Sequence, residues 1–161
     1  MTFLLDTNVF TQSNRLHYAQ DIVPGYWEWL DRALILGEAV SINKVYAEMA
    51  AGNDAAFTWA KPRKSYFPAF QASNQTMKRL TTWTSKTSYR KQTIAKFFDA
   101  HYADMFLVAY AMDYPDTTVV TYEKSAPKSL TNIKIPDACA PFNIRCIDPF
   151  TMLRETHACF R

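Results

Sequence analysis

Four short runs dominate the pattern of the chain: Phe3-Leu4-Leu5, Ala39 to Ile42, Thr117 to Thr121, and Arg145-Cys146-Ile147. Each is apolar or β-branched almost throughout and too short for a stable helix, so each reads as a strand buried on both faces. Stretches with helical periodicity separate them. Strands that alternate with helices imply a parallel sheet covered on both sides, so the expected fold class is α/β, a three-layer α/β/α sandwich. A chain of 161 residues fits one such domain, spanning 1–161. In sheets of this kind ligands bind beyond the carboxyl ends of the strands, so residues just after each run are the first to inspect.

Pro24-Gly25 marks a turn into a helix over Tyr26 to Leu36, with Tyr26, Trp29, Leu30, Ala33 and Leu34 on one face. Asn43 is placed to cap a helix that runs to Gly52, and Asp54 to cap another that closes at Lys61-Pro62. Lys91 to Phe98 and Tyr102 to Asp113 read as helices. The second is apolar almost all round and therefore central. Pro149 leads a last helix to about Thr156. Between Ser65 and Tyr89 the pattern is least regular, and Thr81 to Tyr89 (TTWTSKTSY) reads as a loop or lid.

The chain has only 3 glycines, Gly25, Gly37 and Gly52. Neither the G-x-G-x-x-G fingerprint nor the G-x-x-x-x-G-K-[ST] phosphate loop can be written with them. The longest apolar run, Met105 to Met112, is far shorter than the roughly 18 residues of a membrane span. The start, MTFLLD, lacks the basic region of a signal peptide. Cys139, Cys146 and Cys159 form no C-x-x-C pair, and Cys146, His157 and Cys159 lack a fourth zinc ligand at the usual spacing. Unpaired thiols suit a reducing compartment, so the expected location is the cytoplasm, with no membrane partner.

Charge is strongly segregated. From Ala55 to Phe98 there is no Asp or Glu, yet this stretch carries 9 of the 18 Lys and Arg residues. That segment is +9 and the remainder −6, giving the net +3. Lys61, Arg63, Lys64, Arg90 and Lys91 are its candidate RNA contacts, and Trp59, Tyr66, Phe67, Phe70, Trp83 and Tyr89 are interleaved with its bases. Rings and cations together suit a single-stranded backbone with splayed bases. A merely solvated face, or a dock for an acidic protein, has the same composition.

Acids terminate the buried elements. Asp6 follows the first run directly, and Glu48 lies a little over one helical turn past the second. Asp104 opens the central apolar helix, and Glu123 lies two residues after Thr121. Two carboxylates about 4 Å apart repel by roughly 4 kcal/mol at an effective dielectric near 20. A hard divalent cation such as Mg²⁺ or Mn²⁺ removes that cost and takes oxygen ligands. Each acid also has an ordinary reading: a turn residue for Asp6, a pair with Lys44 for Glu48, and a complement to the helix dipole for Asp104. His17, His101 and His157 are scattered and form no paired arrangement.

FLLDTNVF at residues 3–10 resembles the opening motif of PIN domains, and VYAEM at 45–49 their second acidic motif. ADMFLVAYA at 103–111 and VVTYEK at 119–124 resemble the third and fourth. DIVPGYWEWL at 21–30 and IPDACAPFNIRCIDPFTMLRE at 135–155 are similar to the PIN-like family known as DUF4411, itself similar to VapC-type toxins. The resemblance implies an α/β/α sandwich, Mg²⁺- or Mn²⁺-dependent cleavage of RNA phosphodiesters, and an antitoxin protein as partner; a homodimer is compatible with it. Asp6, Glu48 and Asp104 match the family's acids. Many PIN domains carry a further Asp where this chain has Ser125 or Ala126, so Glu123 is taken as the fourth acid and Asp137 as its nearest substitute. Asn8 and Thr121 are expected to orient the carboxylates. Two other readings are a non-catalytic RNA- or protein-binding module and a housekeeping RNA-processing nuclease.

Overall fold

The computed structural model describes residues 1–160. Strand β1 (Thr2–Leu5) lies inside a four-stranded sheet of order β2-β1-β3-β4, with β2 at Ala39–Val40, β3 at Thr117–Val120 and β4 at Cys146–Ile147. All pairings are parallel, and Leu5 stands opposite Val120. Leu4 and Leu5 are both 0% exposed although successive strand residues point to opposite faces, so helices cover the sheet on both sides. The fold is the expected α/β class.

The chain passes from β1 outward to β2, then back across to β3 on the other side of β1. The direction of winding therefore reverses between β1 and β3, which opens a crevice at their carboxyl ends. Asp6 ends one of these strands and Thr121 the other. The Asp6 N–H donates to the Val120 carbonyl at 3.1 Å, which holds the two ends together.

Nine α-helices surround the sheet among the described residues. Helix α1 (Thr7–Gln12) follows Asp6 and continues into a π-helical turn, Ser13–His17. Helix α2 is Pro24–Ile35, α3 is Asn43–Gly52, and α4 is Ala55–Ala60, capped by Asp54 as expected. A 3₁₀ segment, Lys61–Tyr66, leads on to α5 at Asn74–Ser85. Helices α6 (Lys91–Phe97) and α7 (Asp104–Asp113) precede β3, while α8 (Ile135–Cys139) and α9 (Pro149–Glu155) flank β4. Trp27, not Trp29, is the buried tryptophan of α2.

The expected loop over Thr81 to Tyr89 is corrected: α5 extends through Ser85. Its Ser73 cap and the buried stripe of Thr76, Leu80 and Thr84 override weak propensity. The Thr81 hydroxyl donates back to the Met77 carbonyl at 2.9 Å, and the Ser85 hydroxyl to Thr82 at 2.7 Å, so these side chains ride on the helix without unwinding it. None of the described helices is long and apolar enough to cross a membrane.

Candidate functional site

Asp6 is 4% exposed at the end of β1. Its Oδ1 accepts the Thr7 N–H at 2.6 Å, and its Oδ2 accepts the Thr121 hydroxyl at 2.7 Å. That second bond has a fixed direction. The Thr121 oxygen already accepts from the Asn8 amide at 2.9 Å and from the Glu123 N–H at 3.0 Å. Both lone pairs are taken, so the hydroxyl proton has to point at Asp6. The Asn8 carbonyl oxygen accepts the Tyr122 N–H at 2.9 Å, which locks the start of α1 to the end of β3. Thr121 thus contacts Asp6 directly, and Asn8 reaches it only through Thr121.

Glu48 comes in from α3. Its Oε1 accepts the Ala103 N–H at 2.8 Å, immediately before Asp104, and its Oε2 accepts the Thr7 hydroxyl. The ordinary reading of Glu48 fails, because Lys44 is turned toward the Ala100 carbonyl (2.8 Å) and the Phe106 ring (4.6 Å). One polar chain therefore links Glu123, Thr121, Asp6, Thr7 and Glu48 to the first turn of α7, where Asp104 stands.

The carboxylates sense one another. Burial pushes Asp6 up to about 8, and the charges of Asp104 and Glu123 push the same way against its two hydrogen bonds. Burial likewise raises Asp104 to about 7, followed by the Glu123 and Glu48 charges, with Lys134 and Lys96 opposing. Asp104, Glu123, Lys96, Lys134, Tyr102 and Asn132 line a cleft of about 140 Å³. Asp6 is held in the form that accepts hydrogen bonds while burial disfavours its charge. Such a conflict is relieved by a cation.

A family model described as a domain of unknown function, DUF4411, matches residues 3–160. The chain belongs to the DUF4411 family. No curated protein and no solved structure matches it. The match embraces all four acids of this DUF4411 chain.

An oxygen-only donor set suits a hard divalent cation. Among the described residues, however, no three His, Cys, Asp or Glu side chains are already grouped so as to hold a metal ion. The carboxylates converge on one edge, with Asp6, Glu48 and Glu123 each tied to protein donors, without closing into a cage. Among the described residues, Glu123 alone of these acids is paired with a cation: Lys134 Nζ lies 3.3 Å from its Oε1, and the Ile135 N–H donates to Oε2 at 2.8 Å. Asp137 is employed elsewhere. It accepts from the Ser125 hydroxyl and from the Ala126 N–H at 2.8 Å, fastening the loop after β3.

The basic candidates divide. Lys61, Lys64, Arg90 and Lys91 are exposed. Arg63 is engaged within the protein: its Nε donates to Asp31 at 2.7 Å, one guanidinium N–H donates to the Trp59 carbonyl at 2.9 Å, and the group lies over the Trp59 ring. Lys96 and Lys134 are the cations at the cleft, and sequence reading did not single them out. Lys96 was counted in the basic run without distinction. Lys134 sits outside that run, and only its position immediately before the Ile-Pro-Asp that opens α8 could have signalled it. Thr7 was missed as well, its partner Glu48 lying far along the chain.

Proposed function

We propose that this DUF4411 chain is a metal-dependent endoribonuclease of the PIN type, the toxin of a toxin–antitoxin pair acting on RNA in the cytoplasm. The observation that carries the nuclease reading is the gathering of buried carboxylates at the crevice between β1 and β3, where burial and neighbouring acids raise both Asp6 and Asp104. In this reading Asp6 and Asp104 are the principal ligands of Mg²⁺ or Mn²⁺, with Glu48 and Glu123 beside them. The cation supplies water activation and neutralisation of charge at phosphorus. The Thr121 hydroxyl holds Asp6 Oδ2 and the Thr7 N–H its Oδ1, and Glu48 clamps the start of α7 so that Asp104 keeps its place. Lys96 and Lys134 offer positive charge to the phosphate at the same cleft. Attack by water breaks the bond from phosphorus to the 3′ oxygen, leaving a 5′ phosphate and a 3′ hydroxyl.

The test is cleavage of single-stranded RNA by purified protein free of any co-purified partner. Cutting that requires Mg²⁺ or Mn²⁺, stops with EDTA, leaves 5′ phosphates and vanishes in Asp6→Asn and Asp104→Asn supports the proposal. The toxin reading rests on the similarity to VapC-type toxins. It predicts growth arrest on expression, relieved by Asp6→Asn. A non-catalytic RNA-binding module is the second reading, favoured by the Lys134–Glu123 pair and the unclosed carboxylate group. RNA binding without cleavage under every metal condition would establish that second reading instead.

A further inference from the structure

The rings interleaved with the basic run are poorly available for stacking on a nucleic acid. Trp59 and Phe67 are buried at 7% and 4% exposure, and Tyr66, Phe70, Trp83 and Tyr89 pack against the core. An exposed ring lies on the other flank of the acid cluster. The π-helical turn closes through a bond from the Tyr18 N–H to the Ser13 carbonyl at 2.6 Å, and it ends on His17, whose side chain is exposed. Such turns are rare and recur at functional sites.

His17 stacks on Tyr122, with centroids 5.2 Å apart and planes at 30°, and meets the edge of Phe150 at 5.2 Å and 78°. Tyr122 meets Phe150 at 5.8 Å and 72°. Tyr122 lies between Thr121, which donates to Asp6, and Glu123. Its hydroxyl is hydrogen-bonded to Ser13, at the start of the π turn, at 3.2 Å, so the platform and the acid edge share one support. Phe150 also walls a surface hollow of about 410 Å³ with Tyr18, Arg154 and His157.

Exposed cations accompany the rings: Arg154 lines the hollow with Phe150, and Lys124 follows Tyr122 by two residues. Arg15 precedes His17 on the turn, with a 72% exposed side chain and only a 3.9 Å contact to Asp54. Lys124 and Arg154 are exposed as well. The nearby acid, Asp148, is occupied in capping α9 through the Thr151 N–H at 2.9 Å. An aromatic stack that ends in an exposed ring, with exposed cations close to its residues in the chain, matches a polyanion that carries planar groups. A protein partner would need no such pairing of stack and charge.

We infer that His17, Tyr122 and Phe150 form a stacking seat for an unpaired base of single-stranded RNA, with Arg15, Lys124 and Arg154 along its backbone. The inference rests on the nuclease reading for its direction, since Tyr122 of the seat stands between Thr121, the donor to Asp6, and Glu123. A duplex keeps its bases stacked inside and cannot use it.

The experiment is equilibrium binding of a short fluorescent single-stranded RNA in EDTA, where no cleavage occurs, with melting temperature as the folding control. His17→Ala should weaken affinity by about tenfold, and His17→Phe should restore most of it. An abasic oligonucleotide of equal length and charge should not distinguish wild type from His17→Ala. Unchanged affinity in His17→Ala overturns the inference, as does an equal loss for the abasic strand or a failure of His17→Phe to rescue. No RNA binding by folded wild type also overturns it and leaves the rings to a protein occupant. Failure of the nuclease reading shows separately, as absent metal-dependent cleavage with these binding results intact.

Discussion

The acid edge and the basic segment are opposite cases of how sequence charge becomes spatial charge. Asp6, Glu48, Asp104 and Glu123 are scattered along the chain, yet sheet topology gathers them until Asp6 feels the charges of Asp104 and Glu123, and Asp104 those of Glu123 and Glu48. The run from Ala55 to Phe98 is uniformly basic in sequence, but the fold breaks it up. Arg63 is drawn to Asp31, Lys64 lies 6.0 Å from the centre of the Tyr46 ring, and Arg79 lies over Phe142 at 5.3 Å. Ser73 and Thr76 from the same run bind Asp113 of α7. A run of like charge is one-dimensional, whereas carboxylates at strand ends are placed by the sheet itself.

The sharpest way to probe that contrast from the acid side is Thr121→Val, which keeps shape and removes the donor to Asp6. Groups that orient a metal ligand contribute about 10–100-fold to metal affinity, so Mn²⁺ binding should weaken by that factor while the protein stays folded. Binding as tight as wild type would mean that the Thr121–Asp6 bond merely caps the strand.

From the basic side, Arg90→Glu with Lys91→Glu should weaken RNA affinity several-fold and lower the salt slope by about one unit per lost phosphate contact. Melting temperature should hardly move, since both side chains are exposed. The smallest effect on RNA belongs to Arg63→Gln. It should cost about 1–2 kcal/mol of stability through Asp31 and Trp59, measured by urea unfolding, and leave RNA affinity and salt slope near wild type. If Arg63→Gln instead weakened RNA binding as much as the double charge reversal, the basic run would act as one patch after all.

Legibility followed the same division. The strands and the acids at their ends could be read because an apolar run that stops at a carboxylate is a local signal, as at Leu5-Asp6 and in the first turn of α7. What could not be read was any role decided by a distant partner. Asp31 lies 32 residues from Arg63, and Thr7 lies 41 from Glu48. Propensity alone misjudged Thr81 to Ser85, where burial of Leu80 and Thr84 and hydroxyl bonds to the previous turn outweigh it. Helix α1 passed unnoticed because Asp6 serves both as its cap and as a site acid, and α8 because it is only 5 residues long.

The most direct measurement of the central claim is thermal melting with and without Mn²⁺ from about pH 5 to about pH 8. Asp6 and Asp104 titrate near 8 and 7 when folded, against 3.8 for an unperturbed Asp. Between those values the folded chain holds more protons than the unfolded one, so metal-free stability should fall as pH rises through that window. Mn²⁺ competes with those protons, so its stabilising increment should be small near pH 5 and largest near pH 8. Asp104→Asn should flatten the metal-free decline and remove most of the increment. An increment that is absent, equal at both ends of the range, or undiminished in Asp6→Asn and Asp104→Asn would contradict a cation site at the carboxyl ends of β1 and β3.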